Sequence, residues 1–253
     1  MINVKNLNLK IENKKILKNI NLNINKKGFY GILGPNGSGK TTLLDVLTGI
    51  RNDFNGTVKL FNKSISNLTK KEIAKKVSLV PQSFEILFPF SIFEIIEMGR
   101  YPHKNRFEGL KKYDLKVIEK VLKDMDLFEI KEQNVMTLSG GEKQRIIFAR
   151  ALVQETELLF LDESTSNLDL YYTHTLLKLV KEKVNNNNLT VISVFHDFNL
   201  ASMYCDEIFL MKDGEIKKHG ITKDVLTPEN IFDIFKIKTS ILNHKNKKIL
   251  IPI

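Results

Sequence analysis

The chain has 253 residues, 42% hydrophobic and 27% charged, the make-up of a globular protein with one large domain or one domain carrying a modest inserted lobe. That excludes a disordered tail, a collagen and a disulfide scaffold, and the single cysteine, Cys205, leaves no cysteine metal cage within one chain. The formal charge of +10 is spread along the whole length, mostly as lysine and without an arginine-rich block. It does not by itself choose between nucleic acid, an anionic membrane surface and a biased composition.

The longest apolar runs, such as Leu158–Leu161, fall far short of the roughly 20 residues that span a bilayer. Met1–Lys10 alternates Ile, Val and Leu with Asn and Lys and lacks the apolar block of a leader. A soluble cytoplasmic protein is the expectation.

In chain order, Ile2, Val4, Leu7, Leu9 and Ile11, then Ile20, Leu22 and Ile24, alternate with polar residues and predict half-buried antiparallel strands. Phe29–Leu33 is short and nearly all apolar, as a parallel strand buried on both faces should be. Similar runs recur at Val77–Val80, Leu158–Leu161 and Thr190–Phe195, with a further strand at Ile208–Met211. Between them the period becomes helical at Thr41–Leu47, Ser91–Met98, Tyr113–Met125, Glu142–Val153, Leu170–Val184 and Asp197–Met203. No strand pattern interrupts the stretch from about Ser91 to Thr137, which predicts a helical lobe inserted into an α/β core. Asp213-Gly214 predicts a hairpin, and Thr227-Pro228 opens a late helix with Thr as N-cap and Pro at the first position. Asn185–Asn188 reads as a loop, and a small strand pair is expected within Ile237–Ile253.

Gly34-Pro35-Asn36-Gly37-Ser38-Gly39-Lys40-Thr41 matches G-x-x-x-x-G-K-[ST], with Thr42 following. Gly34, Gly37 and Gly39 are expected to take left-handed conformations, turning successive N–H groups onto an anion. The helix opening near Lys40 aims its positive dipole end at the same place. Lys40 would reach the β- and γ-phosphates, and the Thr41 hydroxyl would ligate Mg²⁺.

Ligands of an open parallel sheet bind beyond the carboxyl ends of its strands. Those ends carry the phosphate loop, then Gln82, then Asp162 and Glu163, then His196. The chemistry of a nucleoside triphosphate assigns the roles. Asp162 is the carboxylate that shares the metal with Thr41. Glu163 is the general base for an attacking water. Gln82 supplies a ligand to the metal or the water, and His196 hydrogen-bonds the γ-phosphate.

Leu138-Ser139-Gly140-Gly141-Glu142 precedes a helical stretch, and Ser139 with Glu142 forms a capping box. Two glycines in a first turn cost roughly 1 kcal/mol each relative to alanine. Close approach of an anion to bare N–H groups would justify that cost. No second lysine-bearing phosphate loop exists in the chain. If this terminus binds phosphate, it most simply completes a site whose other half lies in another molecule, which predicts a head-to-tail pair sharing two nucleotides.

LSGGE, preceded by GPNGSGKTT and VPQ and followed by LLFLDE, SNLD and VFHD, resembles the ATPase subunit of an ATP-binding-cassette (ABC) transporter over about residues 1–235. The resemblance implies a P-loop NTPase cassette: a parallel-sheet α/β core, an N-terminal antiparallel β subdomain, and a helical lobe at about 86–150. Residues 236–253 would be a short C-terminal extension. It implies that Ser139, Gly140, Gly141 and Glu142 contact the partner's γ-phosphate. Asp169, ending Ser166-Asn167-Leu168-Asp169, would link the two sites, and Gln82 would couple nucleotide state to the lobe. It also implies ATP and Mg²⁺, a homodimer with two sandwiched nucleotides, transmembrane permease subunits, an indirect extracytoplasmic binding protein, no nucleic acid, and a place at the cytoplasmic face of the membrane.

PQSFEILFPFSIFEIIEMGRYPH and HDFNLASMYCDEIFLMKDGEIKKHG are similar to the ATPases of importers for iron chelates, haem and vitamin B12, with the molybdate group related. Gly99-Arg100-Tyr101-Pro102-His103, with Phe84, Phe88, Phe90 and Phe93 nearby, falls where such ATPases dock the permease's coupling helix. Two residues depart from the pattern: Ile11 lies near the usual adenine-stacking aromatic, and Ser164 replaces a proline. The alternatives are a molybdate or tungstate importer and a soluble cassette ATPase acting on nucleic acid. The uninterrupted single cassette argues against the latter.

Overall fold

The computed structural model describes residues 1–253 except 106–107, 166–167, 187–188 and 245–246. Part of the expected Asn185–Asn188 loop and of the Ser166–Asp169 motif therefore lies outside the described residues. The elements begin with β1 (Ile2–Ile11), β2 (Lys14–Ile24), β3 (Phe29–Leu33), α1 (Lys40–Leu47), β4 (Asn55–Leu60) and β5 (Lys63–Ser64). Next come α2 (Lys70–Ala74), β6 (Val77–Val80), α3 (Ile92–Glu97), α4 (Lys112–Asp124), α5 (Gly140–Leu152), β7 (Leu158–Asp162) and α6 (Leu170–Asn185). The chain closes with β8 (Thr190–Val194), α7 (Phe198–Tyr204), β9 (Glu207–Lys212), β10 (Glu215–Ile221), α8 (Thr222–Val225), α9 (Pro228–Phe235), β11 (Thr239–His244) and β12 (Lys247–Pro252). No described helix is long and apolar enough to cross a membrane.

Two compact units form, Met1–Leu68 with Val180–Ile253, and Thr69–Leu179. In the first, an antiparallel sheet has the order β2-β1-β4-β5. The apolar alternation of the first strands changes parity after Val4 and again after Leu17. The backbone supplies the reason. Asn6 and Asn19 have φ of 50° and 49°, and the pairing of β1 with β2 shifts register between Val4 and Leu7 and between Leu7 and Leu9. A bulge absorbs one residue and returns the next apolar side chain to the core face. Asparagine side chains satisfy the freed amides: Asn6 N–H donates to Asn21 Oδ1 at 3.0 Å, and Asn19 N–H to Asn8 Oδ1 at 3.0 Å.

The central strands of this unit run β10-β9-β3-β8, with β3 parallel to both β8 and β9 and β10 antiparallel to β9. All of Phe29–Leu33 and Thr190–Val194 is buried, as their unbroken apolar character predicts. Asp213 and Gly214 turn the β9–β10 hairpin with φ of 53° and 83°, the paired positive values that let a two-residue turn follow the strand twist. Thr227 caps α9 by accepting from Asn230 N–H at 3.3 Å. β11 and β12 form the strand pair expected near the C-terminus.

In the second unit β6 and β7 pair in parallel, with Val80 opposite Leu161. Between them the regular elements among the described residues are helices, joined by loops, with an isolated bridge from Ser91 to Asn134. Thr69, Ser91 and Ser139 each start a helix with a reciprocal capping box. A buried cation organises the turn after α3. Arg100 Nε donates to Asp114 Oδ1 at 2.8 Å, and Nη1 donates to Val153 O at 2.6 Å and Glu155 Oε2 at 2.9 Å. Burial tends to raise the Asp114 carboxyl, but the Lys111 N–H and the Arg100 guanidinium outweigh it and hold it below the ordinary carboxylate range.

Four elements were not predicted: β4, β5, α2 and α8. β4 carries only Val58 and Leu60 inward, too short an alternation to stand out. α2 is a five-residue helix held by its Thr69–Glu72 capping box.

Candidate functional site: a phosphate loop and an outward-facing glycine helix

The first unit holds the phosphate loop between β3 and α1. Gly37 and Gly39 have φ of 76° and 97°, as expected, whereas Gly34 is not left-handed. Its glycine is required by crowding instead: a Cβ there would lie 2.3 Å from Met211 O and 2.6 Å from Ser38 Oγ. A Cβ on Gly39 would meet Leu17 Cδ2 at 2.9 Å, and one on Gly214 would meet Ile16 O at 2.3 Å. Lys18 N–H donates to Gly214 O at 2.8 Å, and Gly214 N–H to Ser38 O at 3.2 Å. The loop is thus wedged between β2 and the β9–β10 turn. The Asp-Gly pair announces the hairpin in the sequence, but nothing there announces that the hairpin braces the loop.

Within this frame the loop presents its donors. Gly39 caps α1 in the left-handed conformation without a side-chain hydrogen bond, so no capping side chain stands over the helix start. Lys40 is only 5% exposed and donates from Nζ to Gly34 O at 2.8 Å and Pro35 O at 3.1 Å. Its ammonium is held over the loop by backbone carbonyls. Ser38 Oγ is buried with no hydrogen-bond partner among the described residues, an orphan of the kind that ligands satisfy. Pro35 is half-buried, Asn36, Gly37 and Thr41 are exposed, and Thr42 is half-buried. His196 is exposed, one residue beyond Phe195, whose N–H donates to Ile32 O at 3.1 Å. The end of β8 therefore places His196 on the same edge as the phosphate loop that follows β3.

In the second unit, Gln82 follows β6 and Asp162 ends β7. Asp162 is 4% exposed. Glu163 turns off the strand with φ of 47°, a left-handed conformation costly for a side chain with a Cβ and typical of functional turns. The Gln82 amide donates to the Glu163 carboxylate. Two of the predicted catalytic groups are in direct contact. Gln144, buried on α5, donates to Ser164 O at 2.8 Å and pins the turn that carries Glu163. Sequence reasoning missed this residue, since a glutamine inside an amphipathic helix gives no signal.

Ser139 caps α5, donating from both N–H and Oγ to Glu142 Oε2 at 2.9 and 2.7 Å and accepting from Glu142 N–H at 3.3 Å. The Ser139 hydroxyl bond, then its N–H bond, hold the Glu142 carboxyl below its ordinary value. Among the described residues, a Cβ built on Gly140 would meet nothing within 4 Å, so their packing does not require that glycine. Asp169 Oδ1 accepts from Tyr172 N–H at 2.8 Å and caps α6; Ser166 and Asn167 of its motif lie outside the described residues.

The Gly99–His103 string divides. A Cβ on Gly99 would meet Arg150 O at 2.3 Å, and Arg100 is the buried cation described above, so those two serve the interior. Tyr101 is 52% and Phe88 63% exposed, while Phe84, Phe90 and Phe93 are half-buried. Ile11, at the end of β1, is half-buried opposite Lys14.

The model of the ABC transporter family matches residues 17–166. The chain belongs to that family. It is 35% identical to the uncharacterized ABC transporter ATP-binding protein YvrA of Bacillus subtilis (strain 168), over 92% of this chain but 53% of that protein. Thus it spans about half the length of that relative. It is 34% identical to the iron(3+)-hydroxamate import ATP-binding protein FhuC of Bacillus subtilis (strain 168), over 90% of this chain and 84% of that one. One solved structure, an inward-facing transporter described as of metal-chelate type, has a TM-score of 0.84 and 29% identity, covering 100% of this chain and 96% of that one. Another, the dimeric post-hydrolysis state of the ATP-binding cassette MJ0796 with ADP and Pi, has a TM-score of 0.78 and 30% identity, covering 88% of this chain and 99% of that one. The fold is that of the ABC cassette, the α/β P-loop NTPase fold with an antiparallel N-terminal sheet.

Proposed function

We propose that the chain is the ATP-hydrolysing subunit of an importer for metal chelates, of the iron-hydroxamate, haem or cobalamin class. It works as a homodimer with two nucleotides at its interface and engages transmembrane permease subunits at the cytoplasmic face of the membrane. An extracytoplasmic binding protein delivers the cargo to those subunits. The observation that carries the dimer is Gly140: an exposed glycine in the first turn of a helix, which no neighbour among the described residues requires, in a chain with one phosphate loop. The iron(3+)-hydroxamate import named for FhuC and the metal-chelate type of the solved transporter support the cargo class. Tyr101 and Phe88, exposed and aromatic, are the residues offered to the permease.

In the proposed cycle the N–H groups of Gly37, Ser38, Gly39, Lys40 and Thr41 wrap the β-phosphate, and Lys40 moves from its carbonyls to the phosphate oxygens. Pro35, Asn36 and Thr42 complete the cradle. The oxygens of Thr41, Gln82 and Asp162 are the hard donor set that magnesium takes, and the ion would neutralise charge between the β- and γ-phosphates. Glu163 accepts a proton from the water as its oxygen attacks the γ-phosphorus, and ADP leaves with the electrons of the broken P–O bond. The Gln82 amide must first release the Glu163 carboxylate. His196 hydrogen-bonds the γ-phosphate from its own subunit, and Ser139, Gly140 and Gly141, with Glu142 holding Ser139, do so from the partner. Asp169 links the two sites across the dimer. Glu163→Gln tests the reading: ATP should still bind, turnover should vanish and a closed ATP dimer should accumulate. Unchanged hydrolysis would remove Glu163 as the base.

A further inference from the structure

The C-terminal extension contacts the helix that follows His196. α7 begins two residues after His196, capped by Asp197, whose carboxylate accepts from Asn199 N–H at 2.6 Å and Leu200 N–H at 3.1 Å. With its N–H given to that cap, Asn199 turns its side chain to β12. Leu250 N–H donates to Asn199 Oδ1 at 2.9 Å, and Asn199 Nδ2 donates to Leu250 O at 3.2 Å. A primary amide that satisfies both backbone groups of one residue imitates a neighbouring strand, so α7 is joined to the hairpin edge as though by a sheet ladder. Leu250 is 2% exposed. Phe198, adjacent to the cap, meets Phe235 at the end of α9 with ring centroids 4.9 Å apart and 78° between planes, an edge-to-face pair.

His196 is consequently held from both sides. The Phe195–Ile32 hydrogen bond fixes it on the sheet side. On the other side α7 is tied to β12 through Asn199 and to α9 through Phe198. We infer that Asn199 is a positioning residue for His196, and that the extension after α9 is the brace fixing where that ring stands. The inference rests on the γ-phosphate role proposed for His196. The alternative account of the hairpin, a covering for apolar surface, does not need the paired amide bonds.

The test uses the full-length chain and steady-state ATP turnover, with Asn199→Leu, Asn199→Asp and His196→Ala measured side by side. Asn199→Leu keeps the volume and loses both bonds. It should lower kcat about fivefold to tenfold while KM for ATP stays within about twofold, since a small displacement of a positioned group acts on the reacting geometry. Asn199→Asp keeps the acceptor for Leu250 N–H and should recover part of the loss. If Asn199→Leu does not fold, Asn199→Asp carries the test, with about half the loss. A wild-type kcat for Asn199→Leu beside an inactive His196→Ala would overturn the brace and leave the sensor standing. Normal turnover by His196→Ala would overturn the sensor and the brace together. Parallel changes in kcat and KM that follow thermal unfolding would mark general destabilisation and also overturn the proposal.

Discussion

The phosphate loop and the start of α5 both use glycine, but for opposite reasons. Gly34, Gly39 and the bracing Gly214 are demanded by atoms of this chain, each with a neighbour closer than 3 Å to any added Cβ. Gly140 has no such neighbour. A cradle that the polypeptide completes for itself can be finished before nucleotide arrives. A glycine that no described neighbour in its own chain requires is, in the proposed dimer, one that answers to the partner's phosphate. The contrast separates a binding site from a half-site.

The largest expected effect comes from attacking the self-completed cradle. In Gly34→Ala the new methyl would sit against the Met211 carbonyl, and overpacking against backbone should cost about 3 kcal/mol. Thermal melting and equilibrium ATP binding should both collapse, and wild-type affinity would show that the loop yields. Lys40→Ala comes next. It should weaken nucleotide binding by about 10–100-fold, the scale of a lost hydrogen bond to a charged group, while the fold survives. Normal binding by fluorescence titration would count against the cradle assignment.

Gly140→Ala tests the other side. Alanine should gain about 1 kcal/mol of helix stability at that position, yet ATP turnover should fall about tenfold as the methyl displaces the partner's phosphate. A variant as active as the parent would mean that nothing approaches this turn. The smallest effect is the pH response of the cap. Because Ser139 lowers the Glu142 carboxyl in the folded state, its contribution is present above the ordinary carboxylate value. It is lost as pH falls through the lowered one. Amide exchange at Glu142 should quicken in that acid window in the parent and lack the transition in Glu142→Gln.

The same contrast explains what the sequence made legible. Strand cores and motif residues were readable because unbroken apolar runs and a glycine-lysine spacing each have one main physical use. The Ser139 capping box was equally local, whereas the Ser91 box went unread although Glu94 stands three residues on. Gly34 was misread because left-handed φ and crowding both select glycine, and only the position of Met211 separates them. The Gly99-Arg100 pair looked like surface, since nothing near it in sequence reveals Asp114 and Val153. The bulges at Asn6 and Asn19 were visible as a change of parity in the alternation, but the asparagine bonds that close them join residues 11 and 15 apart. Gln144 and Asn199 left no trace, because an amide on a helix announces a partner only when the partner is seen.

The central claim is that two copies of this chain close over ATP. Sedimentation equilibrium of Glu163→Gln with saturating ATP and magnesium tests it most directly, with Ser139→Arg in the same background as the counterpart. The account predicts a dimer for the first and a folded monomer for the second. A monomer in the first with ATP demonstrably bound, or an ATP-dependent dimer in the second, would contradict it.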